Sequence, residues 1–258
     1  MSLELLQADK IRHAIEPQQL ALLSSLEILD VIDSTNTHLL SAAKMGAPSG
    51  WVCLAEQQTK GRGRLERVWF SPHAANIYCS LLWRFESAQY PISGLSIAVA
   101  VMIVTALRKY GIMGGLQLKW PNDVLFDRRK LAGILLESHD QSAVVIGIGL
   151  NLHLPSDANP QWIDLASIAG HDVRRNYLTG LLVNELLKSV PIYEARGLAP
   201  FLKEWEQCDV LYNQPVTIHL PSQSIEGVMR GVNEQGELLL LDASGIIQTF
   251  AYGEVSVR

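Results

Sequence analysis

The sequence predicts an α+β fold: a mixed β-sheet backed by helices, followed by a small all-β barrel. Three observations predict it. Seven strand-like segments lie between residues 28 and 153, an almost wholly apolar helical stretch runs over 95–111, and after Cys208 only short strands and turn residues follow. At 258 residues the chain is near the upper size of one hydrophobic core, so a large domain at 1–208 and a small one at 209–258 are expected.

Residues 1–27 hold one or two short apolar-periodic helices interrupted by Pro17, and ILDVID (28–33) alternates like a strand. Ser34 or Thr35 is placed to cap a helix that ends at Gly46. WVCLAEQQ (51–58) reads as a buried strand running into a Gly/Arg loop, and 75–85 as another strand. The helix at 95–111, closed by cations and Gly111, belongs under a sheet. Segments 116–120, 123–126, 130–139 and 143–153 are strand-like, and two helices follow between about 175 and 207. Beyond Cys208, turns at NEQG and DASG separate hairpin-spaced strands.

A net charge of -5 and a pI near 5.8 argue against a broad nucleic-acid footprint, so any anion site is local. The N-terminus lacks a basic segment followed by an apolar stretch, and runs such as VVIGIGL (144–150) are too short to span a bilayer. A cytoplasmic protein without membrane partners is expected. Cys53, Cys79 and Cys208 are widely spaced with no CxxC, and the seven histidines show no metal-binding spacing. No Gly-x-Ser-x-Gly elbow is present, and GIGLN lacks the rest of a dinucleotide fingerprint.

Two segments carry chemistry. In KGRGRLER (60–67) the glycines let backbone N–H groups approach a ligand, and the arginines offer planar donors to carboxylate or phosphate oxygens. Alone this is compatible with a solvated basic turn. KWPNDVLFDRRKLAGILLE (119–137) adds what an adenylation site needs: Asp123 to hold Mg²⁺, Asn122 to orient phosphate or ribose, Lys130 to stabilise charge on a transferring group, and Gly133 to let backbone come close.

VIDSTN (31–36), AEQQTKGRGR (55–64), WFSP (69–72), KWPNDV (119–124) and KLAGILLE (130–137), in this order, resemble biotin protein ligases, and the resemblance covers about residues 28–258. It implies a class II aminoacyl-tRNA-synthetase-like biotin/lipoate ligase catalytic fold with a C-terminal SH3-like barrel. It also implies a two-step reaction, in which biotin and MgATP give biotinyl-5′-AMP and pyrophosphate, and a lysine of the biotin carboxyl carrier protein of acetyl-CoA carboxylase then takes the biotinyl group.

Carried over by position, Ser34, Thr35, Asn36 and Gln57 border the biotin head group, and Arg62, Gly63 and Arg64 form the loop over its carboxylate and the phosphate. Lys130 contacts both reacting groups, so Arg64 and Lys130 are the catalytic pair, and Gly133 and Leu135 present backbone to the ureido ring. On the nucleotide side the resemblance places Arg64, Arg67, Trp69, Asn122, Lys130 and Asn151, with Asp123 as the metal carboxylate.

Two departures stand out. Relatives commonly carry GRGRRGR where this chain has GRGRLER, so Glu66 is expected either to pair with Arg62 or Arg67 and order the loop, or to weaken retention of the adenylate. A winged helix needs about 60 residues, more than the 27 before the first predicted strand, so a monofunctional ligase without specific DNA binding is expected. Homodimerisation through a sheet edge is left open. The alternatives are a lipoate or octanoate ligase or transferase, a biotin-sensing repressor, and a scaffold with a disabled site.

Overall fold

The computed structural model describes residues 4–86, 90–140, 142–220, 223–251 and 253–257. Seven strands form one sheet in the order β1-β2-β3-β7-β6-β5-β4: β1 (Ser25–Ile32), β2 (Trp51–Gln58), β3 (Asn76–Arg84), β4 (Leu116–Lys119), β5 (Asp123–Phe126), β6 (Arg129–Ser138) and β7 (Ala143–Asn151). Only β1 and β2 run parallel, and helix α3 (Thr35–Lys44) makes the crossover that a parallel pair requires.

Alternation along the strands gives the sheet two different faces. Val52, Leu54, Ile77, Leu81, Ile146 and Ile148 face the main core, where they meet α4 (Ile92–Tyr110) and α6 (Arg175–Arg196). Cys53, Leu82 and Val145 face the other way, against Leu39 and Ala43 of α3. Helix α4 has the length and hydropathy of a membrane span, but 67% of that stretch is buried inside the protein. Gly111, at φ +116°, closes it in a conformation that disfavours a side chain.

The N-terminal helices α1 (Ala8–His13) and α2 (Pro17–Leu20) lie along α6, with Pro17 starting the second. Asn176 and Asn184 of α6 accept from the backbone N–H groups of Gln7 (2.7 Å) and Glu16 (2.9 Å). The short helix α5 (Leu165–Ala169), capped by Asp164, was not anticipated because one and a half turns leave no periodicity to read. Helix α7 (Ala199–Cys208) closes the helical layer.

The C-terminal unit has five antiparallel strands, β8 (Pro215–His219), β9 (Ser224–Val232), β10 (Leu238–Leu241), β11 (Ile247–Phe250) and β12 (Glu254–Val257), in the order β11-β10-β9-β8-β12. Among the described residues β11 and β12 are its edges, and this small C-terminal antiparallel sheet is the unit that the sequence predicts as a barrel. After β11 the chain does not continue the meander: β12 crosses to the far edge to pair with β8. Trp120 Nε1 donates to Gly236 O (3.0 Å) and Ser93 Oγ to Gln235 O (2.8 Å), which fixes the β9–β10 turn on α4 and the turn after β4. Gly236 (φ +76°) is required there, since a Cβ would lie 2.6 Å from Gly94 Cα.

At the junction, Asp209 has its carboxyl pushed up to about 6 by burial, against an ordinary value of 3.8. The nearby Trp205 indole favours the charge, yet Trp205 Nε1 and Asp209 Oδ2 are both buried without an aligned hydrogen bond. A raised acid holds an extra proton in the folded state, so stability falls as pH rises between these two values and the full deficit is present above the upper one. Asp209→Asn keeps an acceptor for Leu211 N–H and removes the charge. It is expected to stabilise the protein by about 2 kcal/mol at pH 7.5 and by little at pH 4.5, measured by urea unfolding at both pH values.

Candidate active site

A cleft of about 710 Å³ opens on the α3 face of the sheet, where the ends of β5, β6 and β7, the start of α3 and the Gly/Arg loop meet. Its floor follows from strand register. Gly133 of β6 lies opposite Gly149 of β7, Leu135 opposite Gly147, and Gly147 opposite Ser80 of β3. Two of these glycines lie against the Trp69 indole: a Cβ on Gly149 would come within 2.3 Å of it, and one on Gly133 within 2.9 Å.

At one end is a polar socket. Ser34 caps α3, accepting from Thr37 N (3.5 Å), and the next two side chains are turned into the protein. Thr35 donates to Gln58 Oε1 through its N–H (2.9 Å) and its hydroxyl (3.1 Å). Asn36 Nδ2 donates to Leu135 O (3.2 Å) and Glu137 Oε2 (2.9 Å), while the buried Ser80 hydroxyl lies 2.6 Å from Asn36 Oδ1. Gly147→Ala would drive a Cβ to 2.1 Å from Asn36 Oδ1. The expected result is a displaced Asn36 amide and a stability loss of about 1–3 kcal/mol, measured by urea unfolding.

The Gly/Arg segment forms a tight loop, with Gly63 N–H on Arg67 O (2.7 Å) and Trp69 N–H on Gly61 O (2.9 Å). Leu65 (φ 52°) and Glu66 (φ 59°) at its tip are both left-handed, which costs about 1–2 kcal/mol per residue relative to glycine. Both side chains are exposed. Arg62 does not pair with Glu66: its Nη2 reaches both carboxylate oxygens of Glu137 (2.9 and 2.8 Å). Arg64 points into the cleft between Asn122 Oδ1 and Gly253 O, 3.3 Å from each, so it links the loop to the KWPND turn and to the C-terminal sheet. Arg67 and Trp69 also line the cleft.

Lys130 reaches the cleft through a β-bulge. Leu125 pairs with Lys130 but Val124 pairs with Ala132, so Leu131 is inserted into β6 and alternation is broken. Leu131 and Ala132 both enter the main core, and Lys130 and Gly133 both turn to the cleft. Lys130 Nζ sits 2.7 Å from Asp123 Oδ1, an ion pair without hydrogen-bond alignment, and 5.5 Å from the Trp69 ring centre. Asn122 Nδ2 donates to Ile134 O (2.8 Å), which locks the KWPND turn to β6.

Two predicted ligand residues stand elsewhere. Gln58, not Gln57, lines the cleft, because the start of α3 sits over the last residue of β2. Asn151 is buried outside the cleft, with its amide held by Lys130 O (3.3 Å) and Ile163 O (3.2 Å). It therefore acts on the backbone of Lys130. Ser34, Thr35, Asn36, Arg62, Gly63, Arg64, Arg67, Trp69, Asn122, Asp123, Lys130, Gly133 and Leu135 all line the cleft. Gln58, Ser80 and Trp162 were missed: Gln58 through its identical neighbour, the others because a strand serine and a loop tryptophan carry no motif.

Tertiary packing also gathers Glu27, His38 and Cys53, whose ligand-type atoms lie within 4.8 Å of one another, a proximity with no trace in residue spacing. Glu27 and His38 form a 2.8 Å pair, and burial together with Glu27 pushes the Cys53 thiol up.

The biotin/lipoate A/B protein ligase family profile matches residues 28–151, and the biotin protein ligase C terminal domain profile matches 212–258. The bifunctional ligase/repressor BirA of Escherichia coli (strain K12) is 41% identical over 243 residues, 91% of this chain and 74% of that protein. The biotin--[acetyl-CoA-carboxylase] ligase of Paracoccus denitrificans is 31% identical, covering 83% of this chain and 92% of its own length. Among solved structures, the biotin protein ligase from Aquifex aeolicus in complex with biotin and ATP superposes with a TM-score of 0.80 at 27% identity, covering 91% of this chain and 99% of that one.

Proposed function

Because the chain belongs to the biotin/lipoate A/B protein ligase family, and within it to the biotin protein ligases, we propose that its cleft joins biotin to AMP and passes the biotinyl group to a protein lysine. In the first step a biotin carboxylate oxygen attacks the α-phosphorus of ATP and pyrophosphate leaves. In the second, the uncharged ε-amine of the lysine attacks the carbonyl of the mixed anhydride, AMP leaves, and the amine gives up a proton. The acceptor is the biotin carboxyl carrier protein of acetyl-CoA carboxylase. On this reading residues 1–208 are the catalytic domain and 209–258 an appended barrel.

The observation that carries this reading is the joining of a buried polar socket to a group of cations in one cleft. Ser34, Thr35, Asn36, Gln58 and the Leu135 carbonyl suit a ureido ring, which needs partners for both N–H groups and its carbonyl when buried. Arg64 and Lys130 hold carboxylate and triphosphate in attack geometry against their repulsion and neutralise the charge of the transition state. Arg62 and Gly63 cover the carboxylate side, and Arg67, Trp69 and Asn122 serve the nucleotide. A Mg²⁺ ion, when bound, would neutralise the leaving pyrophosphate, and Asp123, the one carboxylate on the cleft wall among the described residues, suits the way Mg²⁺ binds through one or two carboxylates plus substrate phosphates.

A lipoyl or octanoyl chain would leave this socket's polar atoms without partners, at about 1–3 kcal/mol for each. The test is pyrophosphate release with MgATP and biotin, lipoate or octanoate in turn. Release with biotin alone, lost in Arg64→Ala, is expected; equal release with lipoate would overturn the assignment of substrate.

A further inference from the structure

We infer that Glu137 is a positioning residue that ties the arginine loop to the biotin socket, so that the two form together. This rests on the ligase reading above. Glu137 lies outside the cleft wall, about a quarter exposed, on the same face of β6 as Gly133 and Leu135. One carboxylate takes three hydrogen bonds from two distant segments. Arg62 Nη2 of the loop donates to both oxygens (2.9 and 2.8 Å), and Asn36 Nδ2 of α3 donates to Oε2 (2.9 Å).

The chemistry of each partner shows what Glu137 does. Asn36 has an amide that can rotate, and its Oδ1 faces the Ser80 hydroxyl (2.6 Å) and the space above Gly147. Fixing Nδ2 on Glu137 and on Leu135 O fixes which end of the amide faces Ser80. Arg62 is a long side chain on a loop whose tip holds two left-handed non-glycine residues. Its tie to Glu137, on β6, fastens that loop to the sheet across 75 residues of sequence. Charge-assisted bonds of this kind are about twice as strong as neutral ones. An amide at position 137 cannot accept from both groups in the same way, so socket and loop would be released together.

Glu137→Gln and Glu137→Ala test this, with thermal unfolding to show that both fold. Amide exchange across residues 61–68 of the free protein is expected to quicken about tenfold in Glu137→Gln, the loss of one charge-assisted bond. Labelled adenylate, formed from biotin and MgATP without carrier, is expected to escape about tenfold faster, while first-turnover kcat at saturating biotin stays within about threefold. In amide exchange across residues 61–68, Arg62→Ala combined with Glu137→Gln should be no worse than Arg62→Ala alone, because the remaining Asn36 bond to Glu137 does not involve the loop. Wild-type exchange in both Glu137 variants, or additive changes in loop exchange in the double variant, would overturn the inference. If the wild-type protein makes no adenylate from biotin, the ligase reading fails, and the exchange measurement still decides whether Glu137 holds the loop.

Discussion

Lys130→Ala is expected to lower kcat/KM for biotin-dependent pyrophosphate release by about 10²–10³-fold, the scale seen when one preorganised charge-stabilising group is removed. The protein should remain folded. Lys130 is about a quarter exposed and Asp123, its partner, is similarly open to water, so the orphaned carboxylate can be hydrated. Its backbone, by contrast, is held on both sides: Lys130 N–H donates to Gln161 O (2.7 Å), and Lys130 O accepts from Ile163 N–H (3.0 Å) and the Asn151 amide (3.3 Å). None of these bonds needs the side chain. The bulge at Leu131 aims residue 130 at the cleft whatever that residue is, so alanine removes a charge without moving the wall. Steady-state kinetics with a parallel urea unfolding curve check this, and retention of more than a third of wild-type kcat/KM would remove Lys130 from the reaction. Lys130→Arg should recover little, because a fixed planar fork replaces a compact ammonium in the space beside Gly133, 3.3 Å from Nζ to a built Cβ.

What could be read in advance divides along physical lines. Strands such as β2 and helices such as α4 show in the sequence because each is long enough for periodicity to appear. Helix α5 is too short for that, and the crossing of β12 to the far edge depends on tertiary pairing that local pattern does not encode. The site divides similarly. Lys130, Asp123 and Asn122 share one strand–turn unit, so their grouping is local. The role of Glu137 was hidden although its letter stands in KLAGILLE, because Arg62 and Asn36 reach it from 75 and 101 residues away. Gln57 and Gln58 are alike in type and adjacent, and only the position of α3 over the end of β2 distinguishes them. Asn151 sits in GIGLN, but a buried amide with two carbonyl partners works on the backbone, something residue type alone does not reveal.

The largest loss of stability is expected far from the cleft mouth, in Arg175→Met, at about 3–5 kcal/mol. Arg175 is 2% exposed and Glu56 4%, and the two form a charged pair beneath the N-terminal segment. Arg175 Nε and Nη2 donate to Asn76 O (3.0 and 2.8 Å), Nη1 donates to Glu4 O (3.1 Å), and Glu56 Oε1 accepts from Leu6 N–H (2.6 Å). Methionine fills much of the volume but leaves Glu56 charged and buried with only the Leu6 amide, which is why the loss is large. The double variant Arg175→Met, Glu56→Leu removes both charges and should recover most of it, since a buried ion pair seldom outperforms well-packed apolar groups. Urea unfolding of the two variants reads this directly, and equal stability of both would contradict it. If recovery occurs, the pair is retained for what it specifies. Its hydrogen bonds join residues 4–6, the middle of β2 and the start of β3 to the first turn of α6. The recovered double variant should then show faster amide exchange at residues 4–6 than wild type, with exchange in β3 unchanged.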